Sequence, residues 1–122
     1  VKNTKLFVPL TINEAIDYIV NTLSQKDIDH IKKSDSSSCH FTTGMYLRNT
    51  WHMWDTTNPL NIDFQKRFEL FGHGDDVSGI ILTGVWAKVN GKNVEEELNK
   101  EAEYYRKHWK QQGLDPKTGE KL

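Results

Sequence analysis

The apolar positions of the chain fall mostly into helical repeats. Thr11-Ile12-Asn13-Glu14 has the form of a capping box, and Ala15, Ile16, Ile19, Val20 and Leu23 follow at helical spacing. They predict an amphipathic helix over about 12–23. Before it, Leu6-Phe7-Val8 suits a brief extended piece and Pro9 bars an earlier helix. Ser24-Gln25-Lys26-Asp27 reads as a second cap, with Leu23 and Ile28 at the spacing of a hydrophobic staple. A short helix with Ile28 and Ile31 inward is expected there, ending at the serine-rich Ser34–Ser38. That run reads as a connector, with a modified or binding loop as the alternative.

Phe41, Met45, Leu47, Trp51 and Trp54 then cover an arc of roughly 180° on a helix predicted over about 41–54. Arg48 and His52 lie inside that arc and Asn49 beside it. Asp55-Thr56-Thr57-Asn58-Pro59 interrupts the pattern. Ile62, Phe64, Phe68, Leu70 and Phe71 supply the next apolar face, a helix over about 61–71 terminated by Gly72.

The polar turn Gly72-His73-Gly74-Asp75-Asp76 leads into the most apolar segment of the chain. Asp75 or Asp76 suits the N-cap of a helix over about 76–90. Val77, Ile80, Ile81, Leu82, Val85, Trp86 and Val89 surround that helix nearly completely, so it is expected to be central and buried. A hairpin over Ile80–Val89 is the weaker reading, because period-two alternation is lacking. Gly79 and Gly84 each cost about 1 kcal/mol in a helix, which close approach of a neighbouring helix would explain. Asn90-Gly91 is a stop, and Asn93-Val94-Glu95-Glu96 caps a last helix with the stripe Val94, Leu98, Ala102, Tyr105 and Trp109. Its acidic N-terminal and basic C-terminal turns suit the helix dipole. Gly113 ends it, and Leu114–Leu122 reads as a polar tail with a turn at Pro116 and Gly119. The expected architecture is all-α, a single compact domain of about five to six helices around the buried helix 76–90. Helical domain and polar tail are expected to divide at about 112/113.

Composition narrows the class. The 122 residues suit one domain. Hydrophobic residues make up 36% and charged residues 27%, a polar but globular balance. A net charge of −1 argues against a protein-wide field for nucleic acid or anionic membrane. Cys39 alone excludes an intramolecular disulfide and a Cys-only zinc site. No apolar run reaches the roughly 18 residues of a membrane span. A soluble, cytoplasmic protein is expected, with a trimmed secreted domain as the alternative.

Four constellations could carry chemistry. His52, His73, Asp75 and Asp76 are metal-ligand types, yet their spacing matches no strong zinc motif, so no metal or cofactor is expected. His73 beside Asp75 or Asp76 could form an acid/base pair, but Ser78 lacks an elbow motif and Cys39 stands in the serine-rich loop. Tyr104–Lys110 interleaves aromatic and basic residues as a nucleic-acid surface would, although Tyr105 and Trp109 already belong to the core stripe. The fourth is a buried polar junction, in which Arg48, Asn49 and His52 meet the His73–Asp76 turn and tie two core helices together. With Trp51, Trp54 and Trp86 around it, the same junction could hold an anionic or nucleotide-like ligand.

Leu47-Arg48-Asn49-Thr50-Trp51, Trp54, His73-Gly74-Asp75-Asp76-Val77-Ser78-Gly79-Ile80-Ile81-Leu82 and Asn90-Gly91-Lys92 resemble a small bacterial and phage domain family of unknown function. Its pattern runs Arg-Asn, Trp, His-Pro-Asp-Asp-Met-Ser before an Ile-Ile-Leu helix, then Leu-Asn-Gly-Lys. The capped first helix also fits, while the last helix and tail fall outside. Gly74 and Val77 stand where the family has proline and methionine. The resemblance implies no activity; it singles out Arg48, Asn49, His73, Asp75, Asp76 and Ser78.

The expected function is a small non-catalytic binding or interaction module, an accessory protein of phage or mobile-element type. Its ligand would be a partner protein or a small anionic molecule, bound through Arg48, Asn49, His52, His73, Asp75, Asp76 and Ser78. Nucleic acid and membrane are disfavoured as partners, and self-association is left open. The alternative is a small hydrolase or metal-dependent enzyme using His52, His73, Asp75 and Asp76.

Overall fold

The computed structural model describes residues 8–33 and 51–122. Among them are five helices and no strand: α1 (Ile12–Thr22), α2 (Gln25–Lys33), α3 (Pro59–Phe68), α4 (Gly74–Val89) and α5 (Val94–Gln111). The all-α expectation holds.

Each helix begins where local chemistry satisfies its first N–H groups. Thr11 Oγ1 accepts from Glu14 N at 3.1 Å, while the Glu14 carboxylate accepts from Leu10 N at 2.9 Å. Ser24 Oγ accepts from Asp27 N at 3.1 Å, starting α2 as its sequence implies. Ile31 of α2 packs partly buried against the core, and Ile28 is also only half-buried. Asn93 caps α5 through Glu96 N at 3.0 Å.

Four boundaries depart from expectation. Residues 51–54, the end of the helix predicted over 41–54, form a turn, with His52 in the left-handed region at φ 52°. The rest of that prediction, with Arg48, Asn49, Cys39 and the serine run, lies outside the described residues. The third helix starts at Pro59, not at 61, because Asn58 caps it through Leu60 N at 3.0 Å and proline suits the first turn. It ends at Glu69, which takes the left-handed φ of 53° expected of a C-terminal glycine, so Gly72 is not its stop. The central helix starts two residues early, at Gly74, and its cap is His73 instead of Asp75 or Asp76.

α4 is the core of the molecule. Val77, Ile80, Ile81, Leu82 and Val85 are all buried, and α1 and α5 are its main neighbours, with α2 also against it. Gly84 permits the α1 contact: a Cβ there would stand 2.2 Å from Ile16 Cδ1. α5 presents Leu98, Ala102 and Tyr105 to the core, with Val94 and Trp109 partly covered, as its stripe predicts. Phe64 and Phe68 fill the α3 side, with ring centroids 5.6 Å apart. Arg106 of α5 donates to Phe68 O at 2.6 Å, satisfying a terminal carbonyl of α3.

The last ten residues fold back on the domain. Leu114 and Lys121 form an isolated antiparallel bridge, and Phe71 N donates to the buried Pro116 O at 2.9 Å. A groove of about 230 Å³ lies between α1 and α4, lined by Asn13, Ile16, Asp17, Lys88 and Val94; it shares no residue with the predicted site. Lys88 Nζ donates to Asp17 beside it. No described helix is long and apolar enough to cross a membrane.

Candidate functional site

The polar turn before α4 is held by Asn61. This side chain is fully buried on the apolar side of α3. Its Nδ2 donates to Met53 O at 2.6 Å and to Gly72 O at 3.0 Å, and its Oδ1 accepts from Gln65 Nε2 at 2.7 Å. One amide therefore joins the 51–54 turn, α3 and the entry to α4. A Cβ at Gly72 would stand 1.7 Å from Asn61 Oδ1, so only glycine leaves room for the amide. Asn58 adds a second tie, its Nδ2 donating to Trp51 O at 3.0 Å.

These ties set Trp54 over the start of the central helix. The indole lies against the Gly74 backbone, where a Cβ would approach Trp54 Cδ2 to 2.5 Å. Its ring is 5.0 Å from the His73 imidazole in an edge-on arrangement. His73 is enclosed further by Trp109 at 5.3 Å and Phe71 at 6.3 Å, and Trp109 also meets Phe71 at 5.0 Å and His108 at 4.9 Å. Trp54 itself is 52% exposed, so it is the outer face of this aromatic cluster and is not core.

The first turn of α4 consumes its own donors. His73 Nδ1 accepts from Asp75 N at 3.2 Å, and His73 O accepts from Asp76 N and Val77 N, each at 3.0 Å. Asp76 points inward and is 7% exposed; its Oδ2 accepts from Trp109 Nε1 at 2.8 Å, which locks α4 to α5. Burial raises the Asp76 pKa above 3.8, against the lowering effect of the Trp109 hydrogen bond and the neighbouring His73. Ser78 is buried, and its Oγ donates to Asp75 O at 3.0 Å. Asp75 is exposed, with Oδ2 4.0 Å from His73 Nδ1.

Of the residues predicted for the site, His73, Asp75, Asp76 and Ser78 do gather at one helix terminus. His52 is exposed, in the turn preceding Asp55, whose carboxylate is held low chiefly by hydrogen bonds from Thr57. Arg48 and Asn49 are outside the described residues. Among the described residues, no three His, Cys, Asp or Glu side chains converge as a metal site would require. Tyr105 is buried and Trp109 half-buried, so the Tyr104–Lys110 run turns much of its aromatic surface inward. Burial, then the Glu101 charge, raises the Tyr105 pKa. Sequence reasoning missed Asn61 and the Asp76–Trp109 bond. Asn61 had a signal, since it is a polar residue among the buried Leu60, Phe64 and Phe68 of one helix.

An all-α domain organised on a buried helix, with an aromatic cluster at that helix's start, is the class defined by these features. Residues 8–89 match the family described as Domain of unknown function (DUF6794), and the chain belongs to that family. No curated protein and no solved structure matches the chain.

Proposed function

We propose that this protein is a non-catalytic interaction module that docks a partner protein on the Trp54 surface at the start of α4. The observation carrying this reading is Trp54 itself: an indole 52% exposed, yet pinned against Gly74 and His73. The buried half of the ring packs on Gly74 and His73, while the exposed half offers an apolar surface already in place that loses little entropy on binding. His73, Trp109 and Asp75 form its surroundings, while Asp76 and Ser78 support the turn from inside. Arg48 and Asn49 remain candidates for the same surface through their place in the sequence, within a protein of phage or mobile-element type.

A small anionic ligand is less well supported. The N–H groups of Asp75, Asp76 and Val77 are already engaged by His73, and two carboxylates occupy the positive end of the dipole. The hydrolase reading lacks a nucleophile among these groups: Ser78 is buried, and His73 uses Nδ1 as a cap acceptor.

A photo-cross-linking amino acid in place of the exposed Asp75, beside Trp54, expressed in the source cells, tests the proposal. One discrete protein adduct is expected from position 75, weakened when Trp54→Ala is added, and none from the exposed Lys26 of α2. Identical adducts from both positions, or an adduct at position 75 that Trp54→Ala leaves unchanged, would overturn it.

A further inference from the structure

A histidine can cap a helix through a ring nitrogen only while that nitrogen carries a lone pair. His73 Nδ1 accepts the Asp75 N–H at 3.2 Å, which requires a neutral imidazole with its own proton on Nε2. Adding a proton to Nδ1 would set one donor against another. The Asp75 N–H···Nδ1 bond must then break, and the new Nδ1–H needs an acceptor. Asp75 Oδ2, already 4.0 Å away, is the nearest carboxylate oxygen with a described relation to that nitrogen.

Trp54, Trp109 and Phe71 flank the imidazole with ring centroids at 5.0, 5.3 and 6.3 Å, so a turn of the ring acts first on the indole nearest to it. Among the described residues, the titratable groups placed near it are Asp75 and Asp76 on α4 and, across Trp109, His108 on α5. His108 stacks on Trp109 and acts on the same Asp76, so its charge must be separated from that of His73. The rings of Trp54, Phe71 and Trp109 carry no charge.

We propose that His73 is a proton-operated switch for the Trp54 surface: neutral, it caps α4 and holds the indole in place, and protonated, it turns to Asp75 and releases the indole. Histidine is the side chain whose charge ordinarily changes between about pH 5 and 8; the surface is presented while His73 is neutral and lost when it takes a proton. This inference deepens the interaction reading and rests on it for its biological meaning, but its test involves no partner.

The test is a heteronuclear NMR titration of the full chain from about pH 8 to 5. Above the midpoint, the His73 ring should be the Nε2–H tautomer. The Asp75 amide and the Trp54 indole N–H should then move with the His73 ring at one common midpoint. His73→Asn keeps a capping side chain that does not titrate in this range, and both signals should stay flat in it. His108→Gln should leave the co-titration in place. A Nδ1–H tautomer at high pH overturns the proposal. So does a flat Asp75 amide while His73 titrates, or a Trp54 signal that still titrates in His73→Asn. If His73→Asn does not fold, hydrogen exchange of the Asp75 amide in the wild type decides: it should accelerate as His73 takes its proton, and unchanged protection overturns the switch. A switch without a partner, or a partner without a switch, would each be seen separately.

Discussion

Trp109→Phe is the sharpest perturbation of the junction between α4 and α5. It keeps an aromatic ring against Phe71 and His73 but removes Nε1, the donor to Asp76 Oδ2 at 2.8 Å. Asp76 is only 7% exposed, so water cannot readily replace that donor. A hydrogen bond to a charged group is worth about 1.5–3 kcal/mol, and the smaller ring loses up to about 1 kcal/mol of buried area. The expected loss is roughly 2–4 kcal/mol, or roughly 5–15 °C in Tm for a domain of this size. A double-mutant cycle with Asp76→Ala in urea isolates the pair, and its coupling energy should reach about 1.5 kcal/mol or more.

The pH dependence gives a second handle. Burial raises the folded pKa of Asp76 above the ordinary 3.8, so the folded state takes up a proton first as pH falls. This group therefore adds stability as pH drops through its folded pKa, and the gain is complete below 3.8. Asp76→Asn keeps an oxygen for Trp109 without the charge; it should exceed wild type in stability at pH 7 and lose that advantage in acid. A coupling energy below about 0.5 kcal/mol, or a Trp109→Phe variant as stable as wild type, would refute the latch.

Three further outcomes follow from packing. Thr83 Oγ1 is buried without a hydrogen-bond partner among the described residues, so Thr83→Val should raise stability by about 1 kcal/mol in chemical denaturation. Gly84→Ala should lower it by about 1–2 kcal/mol, since its Cβ would meet Ile16 Cδ1 at 2.2 Å, and Ile16→Val should recover part of that loss by removing the Cδ1. Asn61→Leu strands the carbonyls of Met53 and Gly72; a loss of about 3 kcal/mol, with faster hydrogen exchange in residues 51–54, is expected.

Much of the fold is legible from local chemistry. α1 and α5 carry both a cap and a single apolar stripe, and each lies within one residue or so of where those signals place it. α4 is legible from its all-round apolar surface, which only a buried position tolerates. Its start was not, because the choice between His73 and the two aspartates depends on rings from three other parts of the chain. Histidine is a poor cap on average, and here Trp54, Phe71 and Trp109 hold its ring in place. The Trp51 and Trp54 pair shows the opposite limit. Three-residue spacing suits one face of a helix, but Trp51 is buried and Trp54 exposed on a turn whose geometry Asn58 and Asn61 impose from α3. The Asp76–Trp109 bond joins residues 33 positions apart, beyond the reach of any spacing rule.

On the proposed reading, the exposed half of Trp54 serves binding while its buried half packs on Gly74 and His73. The most direct test is a calorimetric titration of the partner captured through position 75 against wild type and Trp54→Ala, with Tm measured on both. An affinity loss of roughly thirtyfold or more is expected, as for a tryptophan hot spot, with Tm lowered by about 5–10 °C and the fold retained. Unchanged affinity, or a Trp54→Ala variant unfolded at the assay temperature, would contradict the proposal.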